Sequence, residues 1–348
     1  MEDYTIIGID LAKTKFHLAA LNAKNKVVMK KPISRQDFIE RLEEMFAPNQ
    51  TFAFEACGGS HNIGQILTAA GHRVIVLKTK DVKAYAKSRQ KNDINDAISI
   101  CKAALDPDLK HVHLKTKAEQ AISYIHKTRQ NVIQQRIQCS NSIMTSLQEF
   151  GFVFSCGKAR FAKECKVYVD QANEQGFIDN YVMQEMLKDC HEIEQLIARE
   201  KELDKLISSQ NKQSEKAQLL ETIAGIGPIN ASILSNKPMH SYETAKDFAA
   251  SLGLVPKQNS TGGQIKLGGI TKQGDRYART MLIQAGRSIV MRSCKQNAPK
   301  DSLYEFVARL KRKCKKFNVI CVAVANKLAR IAYACVTKGI RYHELASA

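Results

Sequence analysis

The chain has 348 residues and carries 53 Lys+Arg against 34 Asp+Glu, a formal net charge of +19. That length holds two or three domains with a sizeable core, and so basic a balance argues against an enzyme of small neutral metabolites and for a polyanionic partner. The 10 Cys include no C-x-x-C pair, which sets aside a zinc ribbon or thioredoxin-like site and leaves reduced, buried thiols of a cytosolic protein as the expectation.

The charge is uneven. Residues 1–110 hold 17 Lys+Arg against 13 Asp+Glu, whereas Ser260 to the end holds 18 against 4. A near-neutral front and a basic back point to nucleic acid, with a membrane surface or an acidic protein as lesser alternatives. Met1-Glu2-Asp3 is acidic and Tyr4 to Ile9 is a short apolar run, so no secretory leader is expected. Val319 to Val336 is apolar but interrupted by Asn326, Lys327 and Arg330, and reads as a core helix.

Tyr4 to Asp10, Lys15 to Leu21 and Lys26 to Lys30 predict a three-stranded meander. Ser34 caps a helix running through Met45, with Asp37 at its third position. Thr51 to Glu55 predicts a fourth strand, broken by Gly58-Gly59, then a helix over Asn62 to Ala70 and a fifth strand over Arg73 to Leu77. Helices follow over Val82 to Lys87 and Ile94 to Leu105. The order βββαβαβα is that of the ribonuclease H-like fold, an α/β layer architecture.

The acids fall at element ends. Asp10 closes the first strand and Glu55 the fourth, while Asp93 and Asp96 lie three apart at a helix start and share a face. Four carboxylates so placed suit two Mg²⁺ ions about 3.5–4 Å apart, the arrangement used for in-line attack at phosphorus. Each acid also has a plain reading: Asp93 as a helix cap, Asp10 as a turn residue. Glu55 is the hardest to dismiss, because the rest of TFAFE reads as a buried strand. His111 and His113 lack a third metal ligand nearby.

Glu119 to Phe150 predicts a long helix with apolar residues recurring on one side, and Asp179 to Ser209 a second whose apolar residues fall near heptad spacing, interrupted by Asp189 and Glu200. Phe161 to Gly176 reads as a connecting piece. The long helices pair either within the chain or between chains, as an oligomerisation arm. Leu219 to Ser235 carries Gly225-Ile226-Gly227-Pro228 between helical runs, either a helix-hairpin-helix that offers backbone N–H groups to phosphate or a plain turn. Tyr242 to Leu252 predicts a helix capped by Gly253. Lys257-Gln258-Asn259-Ser260-Thr261-Gly262-Gly263-Gln264 is a glycine-rich loop, and a helix over Asp275 to Arg292 follows. Ser260 is either a hydroxyl nucleophile served by Lys266, Lys272, Arg276 and Arg279 or part of a basic surface turn. Lys311-Arg312-Lys313-Cys314-Lys315-Lys316 is a solvated face or a phosphate-facing one.

GIDLAKTKF, FEACGGS and KNDINDA at the front, with AGIGPINA and FAASLGLVPKQNSTGGQIKLGGITKQGDRYAR at the back, resemble bacterial insertion-sequence transposases of the DEDD class: the insertion-sequence 110 family and its 1111 subgroup. The resemblance covers nearly the whole chain. It implies a RuvC-like domain over 1–112 with Asp10, Glu55, Asp93 and Asp96 as metal-binding tetrad. It also implies a helical, coiled-coil oligomerisation region over 113–215, and a mostly α C-terminal transposase domain over 216–348 with Ser260 as nucleophile. The implied activity is cutting and rejoining of double-stranded DNA, at element ends and target, through a covalent phosphoserine intermediate. The implied cofactor is Mg²⁺, with Mn²⁺ as alternative. The implied partners are a guide RNA encoded by the element and further copies of the chain, as a dimer or tetramer in the bacterial cytoplasm, with no membrane. Gly225, Gly227, Lys266, Lys272, Arg276, Arg279, Lys311, Arg312 and Lys313 are the expected nucleic-acid contacts. The competing readings are a RuvC-like nuclease or junction resolvase without covalent intermediate, a sugar kinase or actin-like ATPase, and a non-catalytic nucleic-acid binder. The kinase reading lacks a second glycine-rich phosphate loop between Gly58 and Leu109.

Overall fold

The computed structural model describes residues 4–86, 92–154, 156–261, 263–295, 301–313 and 316–347. Met1, Glu2, Asp3, Lys87, Lys91, Gly262, Cys314 and Lys315, named above, lie outside them. The chain divides into two units, 1–120 and 121–348.

In the first unit, β1 (Ile6–Asp10), β2 (Lys15–Leu21) and β3 (Val27–Ser34) form the antiparallel meander, and β4 (Thr51–Glu55) and β5 (Arg73–Leu77) join parallel to it. The sheet order is β3-β2-β1-β4-β5, which sets β1 and β4, the two acid-bearing strands, side by side at the centre. β3 runs past the expected end at Lys30 and through Pro32. An edge strand tolerates the missing N–H of proline, and β3 is that edge.

Strand parity separates two cores. Ile7, Ile9, Phe16, Phe52 and Phe54 face one side. There α1 (Arg35–Glu40), α2 (Leu42–Met45) and α3 (Ser60–Ala69) contribute Phe38, Leu42 and Ile63. Ser34 does cap α1: its Oγ accepts from Asp37 N at 3.0 Å and donates to the Asp37 carboxylate at 2.6 Å. The expected single helix breaks at Arg41, which leaves helical geometry. Residues 79–85 hold a single turn, α4 (Thr79–Val82), that tightens into a 3₁₀ turn, in place of the helix expected over Val82 to Lys87.

The opposite face carries Ile6, Ala19, Leu21 and Ala53 against Ala97, Ile100 and Cys101 of α5 (Asp93–Ala104). Gly8 pairs with Ala19 on one side and Ala53 on the other, a row of small residues across three strands. A Cβ on Gly8 would stand 2.3 Å from Ala97 O and 2.6 Å from Cys101 Sγ, so α5 rests directly on the β1 backbone. Such closeness requires glycine there.

In the second unit, α6 (Lys117–Glu149, within which the division falls), α7 (Lys158–Glu174) and α8 (Asn180–Asn211) share a core of Ile143, Leu147, Phe161, Val169, Met186 and Ile193. The long helices therefore pair within the chain. The segment expected as a connector is a full helix, because Phe161 and Tyr168 stack at 5.7 Å and complete that core. Glu200, which interrupts the α8 stripe, accepts from Arg136 at 3.1 Å, and Asp204 accepts from Arg129 at 2.5 Å. Of the two breaks, Glu200 is thus accounted for by interhelical ion pairs.

The remaining core is built by α9 (Glu215–Glu221), α10 (Pro228–Ser235), α11 (Ala245–Ser251), α12 (Arg276–Arg292), α13 (Ser302–Arg312), α14 (Phe317–Lys338) and α15 (Tyr342–Ser347). α11 starts three residues later than expected, because Thr244 caps it. α13, which sequence reading missed, is capped by Asp301. α14 is long and apolar enough to cross a membrane by length and composition, yet Ile320, Val324, Leu328 and Ala332 are buried in this core. Between α11 and α12 a hairpin of β6 (Pro256–Gln258) and β7 (Leu267–Ile270) stands where the sequence suggested only a loop.

Candidate active site

Asp10 follows Gly8 by two residues, so it projects from the face of β1 that α5 covers. Glu55 follows Ala53 by two and shares that face. α5 then supplies the other pair. Its cap is Asn92, whose side chain accepts from Ile94 N at 3.0 Å, so Asp93 is not spent on capping. One carboxylate oxygen from each of Asp10, Asp93 and Asp96 lies within 4.8 Å of the others.

Glu55 is not among the three carboxylates that close to within 4.8 Å; it shares their sheet face and feels their charge. Burial first, then the charges of Asp96 and Asp93, push the Asp10 carboxyl above its ordinary value of 3.8; His17 opposes this and Glu55 adds to it. Burial also raises Glu55 above 4.5, against a hydrogen bond from Thr79, with Asp96 raising it and Lys83 lowering it. Like charges crowded at a half-buried place are costly unless a cation joins them. The donors are all carboxylate oxygens, which suits a hard divalent ion and not zinc.

Ser260 lies near the tip of the β6–β7 hairpin, where Asn259 N donates to Lys266 O at 2.9 Å and Thr261 bridges to Gln264. Its Oγ accepts from Gln258 Nε2 at 3.0 Å and, more loosely, from Lys266 N at 3.4 Å. The hairpin base is tied by Thr271 N to Val255 O at 2.8 Å and by Asn326 Nδ2 of α14 to Leu254 O at 3.2 Å. Lys266 is exposed beside Ser260, whereas Lys272 and Arg276, also exposed, lie past the hairpin base, where Lys272 N donates to Gly253 O at 3.2 Å.

Arg279 is a correction. It is 8% exposed, and its Nη1 donates to Leu252 O at 3.0 Å and Gln273 O at 2.7 Å. It lies one helical turn inside α12, on the side that packs into the core, so its guanidinium holds the loops flanking the hairpin and does not reach outward to a phosphate. Gly225 takes φ +84° and is exposed, and a Cβ there would stand 2.5 Å from Ile289 Cδ1, so the turn between α9 and α10 needs glycine both for its backbone conformation and for the space beside Ile289. Gly227 begins α10 at an ordinary φ of −90° and is exposed. Lys311 Nζ donates to Ser293 Oγ at 2.9 Å, and Arg312 and Lys313 are exposed at the end of α13. His113 contacts Glu119 at 3.0 Å, which gives it a partner other than a metal.

The family model described as a DEDD-type IS110 transposase matches residues 7–152, and the model for the transposase IS116/IS110/IS902 family matches residues 217–302. A family 20 transposase of Pseudomonas aeruginosa is 34% identical over 97% of this chain and 98% of its own. The transposase of insertion sequence element IS1328 from Yersinia enterocolitica is 33% identical over the same shares. The transposase of element IS1111A from Coxiella burnetii is 29% identical over 98% of this chain and 92% of its own.

The chain belongs to the IS110 family of DEDD transposases. Its substrate is accordingly DNA, and its acid cluster falls within the matched DEDD segment.

The transposase places two further groups at the acids that sequence reading missed. His17 stands directly opposite Asp10 in the β1–β2 register, with Nδ1 3.4 Å from Asp93 Oδ2, a contact whose geometry makes no hydrogen bond. Thr79 bonds Glu55 from the segment after β5. The signal for His17 was its parity with Ala19 and Leu21, which put it on the α5 face.

Proposed function

We propose that this transposase cuts and rejoins DNA strands through a phosphoserine intermediate, with Ser260 as nucleophile and Asp10, Glu55, Asp93 and Asp96 holding Mg²⁺, or Mn²⁺ in its place. The observation that carries the reading is the state of the serine. Ser260 is exposed near the hairpin tip, and its Oγ accepts two N–H groups, which favour the oxygen as it gains negative character. As its bond to phosphorus forms, the bond from phosphorus to a sugar oxygen breaks, the serine proton leaves and the sugar oxygen gains one. Lys266, Lys272 and Arg276 hold the phosphate and offset its charge. The acids bind and orient the divalent ion. When bound, such an ion lowers the charge on phosphate oxygens and eases departure of the leaving oxygen.

We further propose that Gly227 and Lys311 to Lys313 contact the DNA backbone, that an RNA encoded by the element selects the sites, and that the chain works as a homo-oligomer in the cytoplasm. The basic charge concentrated from Ser260 onward supports a polyanion larger than the scissile phosphate alone. The test is a denaturing gel for covalent protein–DNA adducts, with element-end DNA, the flanking transcript and Mg²⁺. An adduct lost in both Ser260→Ala and Asp10→Asn is the expected result. Cleavage with no adduct, lost only in Asp10→Asn, would make this a metal-dependent nuclease and Ser260 a phosphate contact.

A further inference from the structure

The acids and the serine hairpin leave unexplained a concentration of cations between α13 and α14. Arg309, Arg312 and Lys327 line an open cavity of about 430 Å³ with Ser302, Glu305 and Ala308. The cations are held in place. The ring of Phe306 has Lys327 Nζ 4.7 Å and Arg309 Cζ 6.0 Å from its centroid, and Lys327 Nζ donates to Ser302 O at 3.0 Å. One aromatic ring thus preorganises two cations from two helices.

Carboxylates beside Arg309 and Lys327 are few. Glu305 is the one carboxylate among the lining residues, and Asp301 spends its carboxylate on Leu303 N and Tyr304 N at the α13 cap. Among the described residues neither Arg309 nor Lys327 forms an ion pair. Burial first, then Arg309 and Arg330, hold the Lys327 ammonium below its ordinary value, with Asp301 and Glu305 opposing them only in part. Cations in the last turn of a helix are expected from its dipole, and that accounts for Arg309 and Arg312. It does not account for Lys327, which lies midway along α14.

We propose that this cavity seats a backbone phosphodiester of duplex DNA, with Arg309 and Arg312 as forked donors and Lys327 as a point charge. A phosphodiester takes both kinds of donor, and its anionic oxygens supply the charge the cavity lacks. The position gives the contact a purpose. Phe306, whose ring holds Lys327 and Arg309, itself lines a groove of about 590 Å³ with Pro256, Gly268, Gly269 and Ile270 of the hairpin. A phosphate anchored beside that ring therefore sets the register of the duplex against the strands that carry Ser260. The proposal rests on DNA as the substrate and not on the serine being the nucleophile.

The test is fluorescence anisotropy of the full chain with a labelled 30-base-pair duplex, in EDTA so that no strand is cut, over a salt series. Each phosphate contact contributes about 0.9 to the slope of log affinity against log salt. Arg309→Gln and Lys327→Met should each flatten the slope by about that amount and weaken binding, Glu305→Gln should tighten it, and Lys24→Gln on the β2–β3 turn should match wild type. Arg309 is exposed, so its variant reports on the cavity even if Lys327→Met fails to fold. Unchanged slopes in Arg309→Gln with no tightening in Glu305→Gln would overturn the proposal. So would a loss confined to a single-stranded RNA of equal length, which would assign the cavity to RNA.

Discussion

Asp10, Glu55, Asp93 and Asp96 stand on a buried sheet face and the helix that covers it, whereas Ser260 stands near the end of a two-stranded hairpin with every flanking residue from 256 to 261 exposed. The acids are placed by packing: Gly8 lets α5 down onto β1, and parity does the rest. The serine is placed by a few hydrogen bonds, and its hairpin is tied at the base, through Arg279, Asn326 and the strand ends. A preformed cluster suits ion binding, which tolerates little change in geometry. A hairpin extended from a firm base suits an approach to a large substrate, whose own contacts complete the site.

The sharpest way to break this contrast is chemical. Asp10→Asn and Ser260→Ala should each lower strand transfer by several kcal/mol, on the order of 10³-fold, as read on a sequencing gel. Only Asp10→Asn should change the fold's response to metal. Ser260→Ala, at an exposed position, should stay within about 0.5 kcal/mol of wild-type stability by denaturant titration. A large loss of stability there would mean the hairpin depends on its serine.

Arg279→Met tests the base of the hairpin. It leaves the carbonyls of Leu252 and Gln273 without their donor, at a cost of about 2–4 kcal/mol in denaturant unfolding. Unchanged stability with weakened DNA binding would restore Arg279 to the phosphate contacts.

Gly8→Ala sharpens the other side of the contrast. The added methyl meets a backbone oxygen, so α5 must lift, at about 1–3 kcal/mol and with loss of amide-exchange protection in α5. Metal affinity should fall with it. In wild type, Mg²⁺ at 100 times its dissociation constant should add about 2.7 kcal/mol to the stability of β1 and α5 by the same exchange measurement. Asp10→Asn should abolish most of that gain.

The smallest effect is on pH. Asp10 and Glu55 have folded values raised above 3.8 and 4.5, so the folded unit keeps protons that the unfolded chain has lost. Their contribution to stability is present below those ordinary values and is lost as pH rises through the raised ones. In EDTA, α5 protection should decline over that window, and the decline should be shallower in Asp10→Asn. An equal decline in both would remove carboxylate crowding as its cause.

Strands β2, β4 and β5 were legible to the residue, because alternation such as Phe52 and Phe54 against Ala53 and Glu55 is written locally. The carboxylates at strand ends and the helix start were legible for the same reason. His17 carried only the parity that puts it on the α5 face, since its place opposite Asp10 exists only through the β1–β2 register. α7 was underestimated because its stripe needs the aromatic partners Phe152 and Phe154, which lie in the preceding segment.

By itself the sequence determined the order of strands and helices in the first unit, the acids at their ends, the basic back of the chain and the family to which it belongs. Tertiary structure decided what local pattern cannot carry. It chose which basic residue near the serine turns inward, since Arg279 and Arg276 differ by one helical turn of burial and not by type. It also brought Arg309 and Lys327 to one ring from two helices. Charge is a property of a residue, but its availability depends on what packs against it.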